Sequence, residues 1–167
     1  MRQVPPAVRE RTSVRERQVS VKIVHIVTGV LCLGLTGSAA VWGIWCWYRA
    51  NYSSRVFWWL LRAGQGFIVV EAVLGGIWEA SGRHASELHL IYGLVPIAVS
   101  FVAEQLRIAS AQMVMDARGF ESAAEVGKLE PPEQRVVMMT IVQRELGVMV
   151  LAAIVMTVLL ARAAGTG

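Results

Sequence analysis

The run VFWWLLRAGQGFIVVEAVLGGIW, residues 56 to 78, carries only three charged or amide side chains, Arg62, Gln65 and Glu71. It exceeds the ~20 apolar residues that a helix needs to cross a bilayer. Three further runs accompany it: Ile23 to Tyr48, Leu88 to Val102 and Val136 to Leu160. The third is short unless Glu104, Gln105 and Arg107 are admitted at its far end, where charged side chains reach the interface. With 55% hydrophobic residues and a mean hydropathy of +0.52, the 167-residue chain falls outside soluble composition. The expected fold class is all-α, a polytopic membrane four-helix bundle.

Working outward gives the boundaries. Residues 1–20 carry Arg2, Arg9, Arg11, Arg15 and Arg17 without apolar periodicity and are expected as a disordered basic tail. Residues 21–167 form the four-transmembrane-helix domain, with spans near 21–48, 56–79, 86–118 and 132–163. The first apolar run is too long for a signal-peptide core and lacks a small-residue exit, so it is read as retained. Its residues Gly34, Ser38, Ala39 and Gly43 are expected to admit a partner helix closely.

Ser86 is the expected N-cap of the third span, with Glu87 in its first turn, and Gly119 its terminator. Pro131 and Pro132 suit the start of the fourth, where an amide donor has no use. That helix would be roughly 48 Å long against a core of ~30 Å. Helices 3 and 4 should therefore extend as a hairpin beyond the bilayer. Trp42, Trp45, Trp47, Trp58, Trp59, Tyr48 and Tyr52 flank the first loop and place it at the headgroup boundary.

The net charge of +4 is accounted for by basic loops against anionic lipid, and nucleic acid is not an expected partner. Eight basic residues (Arg49, Arg55, Arg62, Arg107, Arg118, Lys128, Arg135 and Arg144) lie toward loops 1 and 3; apart from the tail, the other face has Lys22, Arg83 and Arg162. With the tail set aside, this puts loops 1 and 3 in the cytoplasm and both termini outside. Cys32 and Cys46 share one helix about 21 Å apart and cannot bridge each other.

Two polar constellations remain. A membrane network is expected from Arg62, Gln65, Glu71, Glu104, Arg107, Gln143, Arg144 and Glu145, because ionised groups at membrane depth need partners. In the third span His89, Tyr92, Gly93, Pro96, Ser100, Glu104 and Arg107 share one stripe, which must face protein or water. At the opposite end His25 and His89 sit at matching depth, about one turn inside the same face. Interfacial hydrogen bonding is the ordinary use of such a pair. Two imidazoles at one depth on neighbouring helices also suit a b-type haem, a metal or a quinone, with Glu71 as hydrogen-bonding or proton-accepting partner. His84 reads as a solvated loop residue. No phosphate loop, zinc-protease helix, nucleophile elbow or paired cysteine ligands occur, so enzymatic activity has no positive support.

The combination IVHIVTG, LLRAGQ, HLIYGLVPIAVSFVAEQLRIASAQ and QRELGVM resembles a group of small four-helix membrane proteins of high-GC Gram-positive bacteria without assigned activity. The resemblance implies a bacterial inner membrane and carries over no site residues. The expected function is that of an accessory or assembly component of a larger membrane complex, with a membrane-protein partner or a homo-oligomer. The alternatives are a redox subunit binding b-type haem or quinone between helices 1 and 3, and a small transporter or proton-conducting protein using Glu71 and Glu104.

Overall fold

The computed structural model describes residues 6–82 and 84–166, with side chains from residue 19 onward. Arg83 and the tail arginines' side chains lie outside the described residues. The elements are α1 (Pro6–Tyr48), α2 (Arg55–Ala80), α3 (Glu87–Ala117), a single turn α4 (Ala123–Val126) and α5 (Pro131–Ala164). Four of them are long and apolar enough to cross a membrane. The all-α four-helix membrane class is thus realised, and the four span boundaries agree with the sequence reading to within one or two residues except at the start of α1.

That helix begins at Pro6, whereas the sequence reading opens it near Val21. Proline at the first helical position lacks only a donor that has no partner there, and nothing between it and Gly29 interrupts the helix. The apolar span itself starts at Val19. Ser54 caps α2 by accepting from the amide of Phe57, and Ser86 caps α3 by accepting from that of His89. Gly119, at φ +75°, follows α3 in the left-handed conformation that a side chain would resist.

The packing follows steps of four and three along each helix. In α1 the buried line is Cys32, Thr36, Ala39, Gly43 and Cys46; in α2 it is Phe57, Leu61, Gly64 and Ile68. In α3 Pro96, Ala103, Ser110 and Val114 are buried, and in α5 Leu146, Met149, Ala153 and Met156. A 3.5-residue repeat is that of left-handed knobs-into-holes packing. Each long helix runs opposite to the next: α1 packs on α2 and α5, α3 chiefly on α5, and α2 only lightly on α3.

Of the small residues expected to face a partner, Ala39 and Gly43 do so, while Gly34 and Ser38 are exposed. Gly34 sits two residues from the seam positions on either side, about 200° round the helix, and Ser38 one residue before Ala39, about 100° from it. Gly43 is closed in by Phe57 and Val150, and Gly64 by Thr36, so α1 approaches both neighbours at glycine.

The ring of Trp47, at the end of α1, lies against Gly147. Residues 131 to 146 of α5 consequently run on past α1 by roughly 24 Å. Together with the end of α3 they form the expected hairpin, with Val114, Val126 and Val137 buried inside it.

A Cβ at residue 64 would stand 2.8 Å from Thr36 Cγ2 and 3.4 Å from its backbone nitrogen. Gly64→Leu should cost about 1–3 kcal/mol in reversible unfolding from mixed micelles. Gly34→Ala, with nothing within 4 Å, should stay within ~0.5 kcal/mol. Equal losses in the two variants would contradict this packing.

Candidate functional site

The seams carry the site. Continued toward the chain termini in the same steps, the α1 line passes from Cys32 through Gly29 to His25, and the α2 line from Ile68 through Glu71 to Gly75. The α3 stripe runs His89, Gly93, Pro96. Three ionisable side chains thus occupy seam positions at the end where both chain termini lie.

His25 and His89 meet there with ring centroids 6.0 Å apart and planes inclined by 64°. His89 Nδ1 lies 2.9 Å from the carbonyl oxygen of Ala163, in the last turn of α5. A carbonyl only accepts, so Nδ1 carries a proton. His25 Nδ1 lies 2.6 Å from Glu71 Oε2. The approach is out of line for a hydrogen bond and is therefore mainly electrostatic.

The Thr28 hydroxyl, 2.8 Å from the carbonyl oxygen of Val24, also meets the other oxygen of Glu71, Oε1. The Glu71 side chain is 13% exposed, and a Cβ at Gly29 would be in ordinary van der Waals contact with it, 3.8 Å from Oε2. Ser86, besides capping α3, donates to the carbonyl of Thr166 at 2.8 Å and latches the start of α3 to the end of α5. Gly75 and Gly93 are half-buried, yet a Cβ on either would meet nothing within 4 Å.

Each of the three polar residues is followed four residues later by glycine: HIVTG at 25–29, EAVLG at 71–75, HLIYG at 89–93. Residues i and i+4 share a helix face, so every one of these side chains has a bare patch of backbone beside it. This spacing was legible in the sequence once the seams were laid out.

The second polar group forms at the opposite end. Glu104 accepts from Arg62 Nη1, from Arg62 Nη2 at 3.1 Å and from Arg107 Nε at 3.0 Å. Arg62 also donates to Gln65 at 2.9 Å, and Arg107 reaches Glu145 at 3.7 Å. Both guanidinium groups lie near the ring of Trp58, at 5.8 and 5.7 Å, a partner that the spacing of the charges did not reveal. The group ties α2, α3 and α5 together.

Three residues expected in this network lie outside it. Glu71 is at the other end with His25 and Thr28, and Gln143 and Arg144 are exposed, because they follow one another on the face of α5 turned from the seam. The α3 stripe faces α5 for most of its length: Tyr92 lies under Arg162 at 5.8 Å, and Ser100 donates to Met156 Sδ at 3.0 Å. His84 is exposed, as expected, and pairs with Glu79 at 2.7 Å.

No family model, no curated protein and no solved structure matches the chain.

Glu104→Ala leaves two arginines without their shared carboxylate and should cost about 1–3 kcal/mol in the same unfolding measurement. Arg144→Ala should change stability by less than ~0.5 kcal/mol. A Glu104 variant as stable as the parent would show that the network does not hold the helices.

Proposed function

We propose that this membrane protein is a redox subunit that binds a b-type haem between α1 and α3, with His25 and His89 as its axial ligands. One observation carries the reading: the two rings meet with their planes inclined at one end of the bundle, His89 Nδ1 bonded to the carbonyl of Ala163 and His25 Nδ1 beside the carboxylate of Glu71. This is how a protein presents metal-binding imidazoles, one nitrogen fixed by a carboxylate or carbonyl and the other left as ligand.

The dimensions agree. With a metal–nitrogen distance of about 2 Å, two imidazoles on opposite sides of one ion have ring centroids about 6 Å apart; the observed separation is 6.0 Å. The donor count points to haem rather than a bare ion. Among the described residues no group of three or more metal-ligating side chains is gathered. A porphyrin supplies four nitrogens itself and needs two from the protein. Gly75 and Gly93, one turn beyond Glu71 and His89, keep bare backbone near the pair, with nothing within 4 Å of an added Cβ.

A bound haem would supply one-electron reduction and oxidation. Of the chain's own residues, Ala163 accepts from His89 and Glu71 lies beside His25. A single such centre has no substrate chemistry of its own, so an electron-carrying subunit of a larger membrane complex also absorbs the accessory role expected from the sequence. With the basic loops 1 and 3 in the cytoplasm, the site lies near the outer face of a bacterial inner membrane. Glu71 and Glu104 stand at opposite ends, each held by its own partners, which lends no support to a proton path through both.

Protein produced with haem supplied should carry a Soret band and a low-spin two-imidazole spectrum. His25→Ala and His89→Ala should each lose that low-spin signature, while His84→Ala keeps it. A folded, colourless protein after haem reconstitution would rule the reading out.

A further inference from the structure

We propose that Arg162 and Lys22 form a carboxylate-binding rim for this site: they receive the two propionate groups of the bound haem and fix which edge of the ring faces the membrane surface. The proposal rests on the haem reading above. It extends that reading by naming the part of the cofactor that two residues outside the histidine pair recognise.

A b-type haem is amphipathic. One edge carries two propionate carboxylates, and the rest of its rim is apolar. Neither lipid nor an apolar helix face satisfies a carboxylate, so the acidic edge has to lie toward the surface and needs cations there. His25 and His89 stand at the end of the bundle where both chain termini lie. The acidic edge therefore comes out among residues at the start of the α1 span and the end of α5. Among the residues whose side chains are described, a lysine or arginine stands there twice, as Lys22 and as Arg162.

Each of the two is placed by a histidine of the pair. Arg162 directly precedes Ala163, whose carbonyl oxygen accepts from His89 Nδ1. Its guanidinium lies 5.8 Å from the centre of the Tyr92 ring, and Tyr92 follows His89 by three residues on the α3 stripe. A cation in the last turn of α5 is favoured by the helix dipole wherever it points. Its seat over Tyr92, on the helix that carries His89, is what ties it to this site. Lys22 lies three residues before His25, so the two are neighbours on α1, with the lysine about 4.5 Å nearer the surface. Both cations are exposed, and neither is in an ion pair among the described residues. The carboxylates at this end are engaged elsewhere or face solvent. Glu71 lies beside His25 and meets Thr28, Glu79 pairs with His84 at 2.7 Å and accepts from the amide of Ala85, and Glu87 is exposed in the first turn of α3. Arg62 and Arg107, at the opposite end, share Glu104, so charge there closes within the protein. Here two unpaired cations stand beside a site whose cofactor brings two carboxylates.

The test is a spectrophotometric titration of the full-length, haem-free protein in detergent with two pigments, haem and haem dimethyl ester, which differ only in whether the carboxylates are free or esterified. The ester is more apolar and partitions further into micelles, an effect common to every variant. The quantity compared is therefore the ratio of the two dissociation constants. In the double variant, Lys22→Ala with Arg162→Ala, the preference for haem over its ester should fall about tenfold from that of the parent. Each single substitution should lower it by less, and Arg162→Lys should keep more of it than Arg162→Ala. Lys128→Ala, in the loop between α4 and α5 at the opposite end, should leave it unchanged. A double variant with the parent's preference would overturn the proposal while leaving haem binding intact; cations that serve only lipid phosphate would give that result. Equal weakening or loss of both pigments in the double variant would also overturn it, since a carboxylate anchor acts on haem alone. So would a fall in Lys128→Ala as large as in the double variant. A parent protein that takes up neither pigment removes the haem reading and this proposal together.

Discussion

Lipid cannot satisfy a polar group, and it is as apolar as the side chains it surrounds. These two facts shape the bundle. The helices gain little from hiding leucine and valine from one another, so the faces that meet are those with small residues and those with polar side chains needing partners. Gly43 and Gly64 bring α1 against α2 and α5, while the polar stripe of α3 faces α5 through His89, Tyr92, Ser100 and Arg107. The broad apolar surfaces elsewhere are what a membrane protein turns toward lipid.

From the same constraint the polar side chains divide into two groups, one at each end. At the loop end, two arginines share Glu104 and lie beside Trp58, an arrangement that balances charge and joins three helices. At the other end, the balance is different. His89 Nδ1 is bonded to the carbonyl of Ala163, and His25 Nδ1 lies beside the carboxylate of Glu71 without a hydrogen bond to it. Two imidazoles from different helices in contact are what separates this end from the charged one.

Much of this was legible in the sequence because the relevant signals are local. Ser86, Gly119 and the Pro131–Pro132 pair mark helix ends by rules that need no tertiary knowledge, and apolar length alone locates the spans. The meeting of His25 and His89 followed from depth, which is a count along two helices from one surface. What depth does not give is rotation about the helix axis. For that reason Gly34 and Ser38 were read as facing a partner when they turn outward, and Gln143 and Arg144 were grouped with Glu145 when only Glu145 faces Arg107. Glu71 belonged to both readings, as a member of the charged network and as a partner for the histidines; only its position on the α2 seam, three residues beyond Ile68, decides for His25. The start of α1 differs for another reason: the arginine-rich segment lacks apolar periodicity, but nothing in it stops a helix once the neighbouring span has formed.

The protonation pattern of the two rings is the point on which the account stands, and it can be read without any cofactor. Nitrogen-15 solid-state NMR of histidine-labelled, haem-free protein in bilayers, at a pH where the rings are neutral and with His84→Gln removing the third signal, reports which nitrogen carries each proton. The account predicts the Nδ1-protonated tautomer for both His25 and His89. An Nε2-protonated ring at either position would contradict it, because the nitrogen assigned to a ligand would already be occupied.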